Sequence, residues 1–198
     1  LIFVIVFAQT LRAQYDKNNM VEAIDKMMTE KIELSAMPTP NPNTIKFLPN
    51  ITFFKSGTID FPEANKGKSS PLVNALFNID NISGVMIGFN FISVTKNDSA
   101  TWEQLVEPVR DTIIKELEAD NDPIDLTLLE EAEESAEQMS EIAEKIKAVI
   151  DNEIRPAVAM DGGDILFKSF ENGIVTLQLQ GACSNCPSST MTLKMGIE

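Results

Sequence analysis

Cys183 and Cys186 are the only cysteines in a chain of 198 residues that contains no histidine. They stand in Gly181-Ala182-Cys183-Ser184-Asn185-Cys186-Pro187. Two thiols three positions apart, with no imidazole beside them, admit few chemistries. They can exchange with a disulfide, or they can hold half of a metal centre whose other half comes from elsewhere. Pro187-Ser188-Ser189-Thr190 reads as the opening of a helix, with proline at its first position. Sulfurs placed there face unpaired N–H groups and the positive end of the helix dipole, which favours thiolate. Gly181, Ala182 and Ser184 are small enough to let the backbone approach an anionic sulfur centre.

Each alternative has a cost. A thioredoxin-type pair also lies between strand and helix, but here no Trp or Tyr precedes it and Ser-Asn separates the thiols. Structural zinc takes four nitrogen or sulfur ligands, so two sulfurs require either a zinc-bridged adaptor made of two chains or weak carboxylate ligands. A [4Fe–4S] cube takes one thiolate per iron, which a symmetric homodimer supplies with the cluster on its two-fold axis. Such a shared cluster is exposed when the interface loosens, and that suits delivery to another protein better than storage of electrons. From the residues alone, cluster carriage, thiol–disulfide exchange and zinc bridging all stay open.

The elements that position the pair are legible in the pattern around it. Ile142, Ile146, Val149, Ile150 and Ile154 form a helical stripe that runs to about Met160. Asp161-Gly162-Gly163-Asp164 then imposes a turn. Ile165 to Phe170 and Ile174 to Leu179 read as a hairpin closed by Asn172-Gly173, and the cysteine loop follows directly. Earlier in the chain, Asn19 to Leu34 has helical spacing, and Thr39-Pro40-Asn41-Pro42-Asn43 must be extended or turning. Strands are expected at Thr44 to Leu48, Gly57 to Phe61, Val85 to Phe89 and Phe91 to Lys96. A helix starts at Ser70-Pro71. Another is expected to start on a Thr101/Gln104 capping box, run to about Ala119 and be disturbed by Pro108. Trp102 reads as packing at the edge of this first core.

Charge divides the chain. Leu1 to Lys115 carries 12 acids and 11 bases, and Lys145 to Glu198 carries 6 acids and 5 bases. Glu116 to Glu144 holds the other 12 acids and no base, so the net charge of −14 is concentrated in one acidic connector. Neither near-neutral body shows a basic stripe, which argues against nucleic acid. The apolar run Leu1 to Ala8 is far short of the roughly 20 residues that span a bilayer, so no membrane association is expected. It reads as a truncated or artefactual start, with the tail of a signal-peptide core ending near Ala13-Gln14 or an N-terminal strand as the alternatives. No phosphate loop and no acid–base constellation is present, and a non-enzyme is expected.

Ile154-Arg155-Pro156, Met160 to Ile165 and Gly181 to Ser189 together resemble the C-terminal NifU-like domain. Thr39 to Thr44 with Lys46-Phe47, and Ser70-Pro71-Leu72 with Leu76-Phe77, resemble the N-terminal domain of the Nfu proteins. The resemblance implies an iron–sulfur cluster scaffold or carrier with Cys183 and Cys186 as ligands. It implies a [4Fe–4S] cluster shared by a homodimer, with [2Fe–2S] as the other type. The implied partners are upstream cluster assembly machinery and apo iron–sulfur proteins as recipients. Asp161 and Asp164 belong to the motif, and their expected role is structural. The expected fold is α+β in two small domains, the first with a small mixed sheet. The division is residues 1–36 as an unassigned extension, 37–119 as the Nfu N-terminal-type domain, 120–139 as the acidic linker, and 140–198 as the cluster-binding domain. The last is expected to be truncated at its C-terminus. The linker is expected to let it move, and the reducing environment that thiolates need suggests a cytoplasmic protein.

Overall fold

The computed structural model describes residues 31–55, 57–64, 70–119, 122–125, 140–184 and Cys186. Leu34–Pro38 (β1), Thr44–Pro49 (β2), Thr58–Phe61 (β3), Ile82–Gly88 (β4) and Ile92–Lys96 (β5) form one sheet in the order β1-β2-β5-β4-β3. Each neighbouring pair is antiparallel, which corrects the expectation of a mixed sheet. Helices Pro71–Phe77 (α1) and Trp102–Glu118 (α2) pack with the sheet.

Strand alternation assigns the two faces. Phe47 pairs with Ile92, Ile92 with Ile87, and Val85 with Val94, so these residues share the face that forms the core. They pack with Leu72, Val73 and Leu76 of α1 and with Leu105, Val109 and Ile113 of α2. Each such side chain taken fully out of water contributes about 1.5–3 kcal/mol. The opposite face carries Lys46, Ser93, Met86 and Asp60 in one row across four strands, because Lys46 pairs with Ser93, Ser93 with Met86, and Met86 with Asp60.

The helix starts differ from their sequence signals. Ser70 is the N-cap of α1, but its side chain does not cap the helix. Its Oγ instead accepts from the Asp125 amide at 2.9 Å, while the Leu72 amide donates to Pro123 O at 3.1 Å. Ile124 is buried in the same core. Pro123 to Asp125, which sequence places in the linker, therefore completes the first core and serves the α1 N-terminus. Thr101 likewise makes no side-chain cap bond, so the expected capping box with Gln104 does not form. The Glu103 carboxylate takes the Thr101 hydroxyl and is held below its ordinary pKa by its own backbone N–H and then by that hydroxyl.

The second part begins with Glu141–Val149 (α3), whose N-cap Ser140 accepts from the Ala143 amide. A wide π-type turn, Ile150–Ile154, leads into Arg155–Met160 (α4). Pro156 explains the wide turn. It has no N–H and its ring collides with the carbonyl one turn back, so the ladder opens and Arg155 N bonds Ile150 O, five residues away. Gly163–Glu171 (β6) and Ile174–Gly181 (β7) then form an antiparallel hairpin. Its Asn172-Gly173 turn has φ of 51° and 80°, the left-handed pair that the dipeptide predicts. The α+β class is as expected. The strand β1 was not expected: Leu34, read as the end of a helix, opens it. The helix expected from Pro187, most of the one expected from Asn19, and residues 126–139 of the linker lie outside the described residues.

Candidate functional site

The cysteine loop grows out of β7 where the hairpin narrows. Gly163 faces Gly181 across the two strands. A Cβ on Gly163 would stand 2.5 Å from Cys183 Sγ and 2.8 Å from Gln180 O, so only glycine leaves the thiol its place. Gly181 has φ +57° and turns the chain out of the strand. Cys183 N then donates to Gln180 O at 3.3 Å, and Ser184 returns to Gly181 O through both its amide (3.2 Å) and its hydroxyl (2.8 Å). Ala182 N donates to Gly162 O at 3.2 Å. These bonds wind residues 180–184 into a tight turn that positions Cys183. Cys183 and Cys186 are thiols, each 4% exposed.

Asp161 and Asp164 flank the glycines with different tasks. Asp161 is the residue after α4 and its amide closes that helix on Ala157 O. Asp164 is buried, and its carboxylate accepts from Arg155 Nε at 2.8 Å, Thr58 Oγ1 at 2.5 Å and the Ile165 amide at 2.7 Å. Arg155 also reaches Asp151 at 3.0 Å. Asp164 is thus committed to shaping the turn, in keeping with the structural role expected for it. Among the described residues, no group of three or more His, Cys, Asp or Glu is placed to hold a metal ion.

The outer row of the first sheet sits directly on this loop. Ser93 Oγ donates to Gly162 O at 2.6 Å. A Cβ on Gly181 would come within 2.6 Å of Met86 Sδ, so the methionine packs against bare backbone. Lys46 Nζ donates to Ala159 O at 2.7 Å and lies 4.4 Å from the Phe91 ring centroid. That places an ammonium at the carbonyl end of α4, where the helix dipole favours a cation. Burial pushes the Lys46 pKa down, and the Asp161 carboxylate opposes the shift in part. Asn41, in the loop before β2, donates through Nδ2 to Ala182 O at 2.8 Å, and its Oδ1 accepts from the Asn43 amide at 3.0 Å. Sequence reading singled out this Pro-Asn loop as a turn and missed the contact. The signal was there in the asparagine between two prolines, but its partner is 141 residues away. Trp102 Nε1 donates to Pro42 O at 3.2 Å, so the packing residue also braces that loop.

Two family descriptions match the chain in order: "Scaffold protein Nfu/NifU N terminal" over residues 34–120 and "NifU-like domain" over residues 146–198. A Homo sapiens protein named "NFU1 iron-sulfur cluster scaffold homolog, mitochondrial" is 40% identical over 166 residues, covering 83% of this chain and 65% of its own length. The protein of the same name from Drosophila persimilis is 38% identical over 188 residues, covering 92% and 64%. The chain therefore spans just under two thirds of the length of these relatives. A NifU-like protein from Saccharomyces cerevisiae, solved in solution, aligns at 26% identity and a TM-score of 0.41, over 47% of this chain and 84% of that one. The relatives' names overturn the expectation of a cytoplasmic protein, since both are called mitochondrial. The physical reason is plain: thiolates need a reducing compartment, and that need does not select the cytoplasm over any other reducing one. No helix among the described residues is long and apolar enough to cross a membrane.

Proposed function

Since the chain belongs to the Nfu family, an Nfu/NifU N-terminal domain followed by a NifU-like domain, we propose that it is an iron–sulfur cluster scaffold that carries its cargo on Cys183 and Cys186. The observation that supports this most is the donor set. The chain owns two cysteines and no histidine, and among the described residues no third metal-binding side chain joins them. One chain supplies half of the thiolates that a [4Fe–4S] cube takes, and a homodimer supplies the full set. The cluster is then cargo at a symmetric interface, received from assembly machinery and passed to apo-proteins. We assign no catalysis to the chain, and we place it in the mitochondrion on its relatives' names.

The division of labour follows the two family matches. Residues 37–119, extended by the Pro123 to Asp125 segment, form the body with no cysteine, and residues 140–198 carry the ligands. The test is anaerobic loading with iron and sulfide, with metal and sulfide counted per chain and size measured in solution. The expected product is a brown dimer with about two irons and two sulfides per chain. About one iron per chain would indicate [2Fe–2S] instead. A colourless dimer with roughly half a zinc per chain would replace the proposal with a zinc bridge. A colourless chain that turns over a disulfide would replace it with thiol exchange.

A further inference from the structure

We propose that the first domain is a cover for the cysteine loop, closed in the cluster-less chain and lifted before two chains can share a cluster. This rests on the scaffold role proposed above. Cys183 is 4% exposed, and a sulfur in that state has no open approach to a cube shared with a second copy. Its sulfur packs on Gly163 of its own hairpin, and the backbone that leads into it is held by the first domain. Asn41 Nδ2 donates to Ala182 O, the carbonyl that immediately precedes Cys183, at 2.8 Å. Ser93 Oγ holds Gly162 O at 2.6 Å, and Gly162 O in turn accepts from Ala182 N. Met86 lies on Gly181. Asn41, Ser93 and Met86 are buried, so the cover excludes water from the backbone it grips.

The grip is polar where it could have been greasy. It uses a few hydrogen bonds, Lys46 on Ala159 O and Thr58 on Asp164 among them, whose partners find water when parted. Such a contact opens and recloses readily, while a large apolar seam would not. A second copy bringing its own cysteine pair to the two-fold axis competes for the side of the loop that the sheet occupies. Lifting the cover exposes the outer row Lys46, Ser93 and Met86 at the same moment, so the loaded dimer offers a surface that the empty chain hides.

The test uses the full chain without iron and reads alkylation of Cys183 by iodoacetamide, resolved by peptide mass. Asn41→Asp keeps an oxygen for the Asn43 amide but turns a carboxylate toward Ala182 O, replacing attraction with repulsion. Ser93→Ala removes the second donor. In each variant Cys183 is expected to react roughly tenfold faster than in the unmodified chain, with unchanged far-UV circular dichroism. Folded variants that react at the unmodified rate would overturn the proposal. Should a variant fail to fold, the unmodified chain decides. Its Asn41 side-chain amide should exchange slowly with solvent when empty and as an exposed amide after loading, and slow exchange in both states overturns the cover. Cys183 protection relieved by Asn41→Asp in a chain that takes up no iron upholds the cover and removes the scaffold role instead.

Discussion

The sulfur of Cys183 occupies the space that a side chain on Gly163 would need, with only 2.5 Å between Sγ and the Cβ such a side chain would bring. The other near neighbours of that Cβ are Cys183 Cβ and a backbone carbonyl, so nothing flexible is there to yield. Gly163→Ala is expected to cost about 1–3 kcal/mol in stability through overpacking. It should also lower iron uptake, because the loop must move away from its hairpin. Urea unfolding and iron content per chain measure the two effects.

Gly173 makes the opposite case. Its φ is +80°, and a Cβ there would meet nothing within 4 Å. Gly173→Ala is expected to cost about 1 kcal/mol, from left-handed backbone strain alone. Iron uptake should match the unmodified chain. A loss of uptake would show that the far end of the hairpin takes part in holding the cluster.

Cys183→Ala and Cys186→Ala are each expected to abolish the brown product of anaerobic loading, since a dimer would then offer half of the thiolates a cube takes. The visible absorbance and the iron count per chain read this directly. Full loading of either variant would remove that thiol from the ligand set.

Asp164→Asn keeps the size of the side chain and removes its charge. Arg155 then loses its shorter carboxylate partner, Asp164 at 2.8 Å, and keeps Asp151 at 3.0 Å. The expected loss is about 2–3 kcal/mol, the scale of hydrogen bonds to charged groups. Thr58→Val, which removes the hydroxyl donor to Asp164 while leaving Arg155 paired, should cost less. Chemical denaturation of both variants checks the order.

Lys46 supplies a pH dependence. Its pKa is lowered in the folded chain, mainly by burial, from an ordinary value near 10.5. Between the lowered value and 10.5 the unfolded state binds more protons, so folding stability rises with pH across that window. Below it both states are charged and the burial penalty is present in full. Comparison with Lys46→Met cancels the other lysines. The stability difference, unmodified minus variant, should grow as pH climbs toward 10.5, and a flat difference would contradict the burial of this ammonium.

Much of this was legible from residues. Asn172-Gly173 announces its hairpin because only left-handed backbone closes a two-residue loop, and strands β2 to β5 show themselves by apolar alternation or β-branched runs. The pair Gly162-Gly163 was legible as a turn, but the thiol packed on Gly163 was not, since that contact depends on how β6 registers with β7. The edge strand β1 was silent. After Leu34 its side chains are exposed, and pairing on one side needs only backbone, which leaves no pattern to read. Ser70 misled in a different way. Its N-cap position is right, yet its hydroxyl serves Asp125, a partner that no local rule reaches. The docking of the first sheet on the cysteine loop escaped for the same cause: Asn41, Lys46 and Ser93 are ordinary polar residues until the fold supplies acceptors far along the chain.

Those three side chains share a habit: each addresses a main-chain oxygen, at Ala182, Ala159 and Gly162. Recognition at this seam is therefore lopsided. The sheet must keep particular donors, whereas the body it grips is read mainly by its peptide framework, must stay slender at Gly162 and Gly181, and offers one side chain, the Asp164 carboxylate, to Thr58. Drift in the side chains of the thiol-bearing half other than Asp164 should leave the seam intact, while a single exchange at Asn41 or Ser93 should break it.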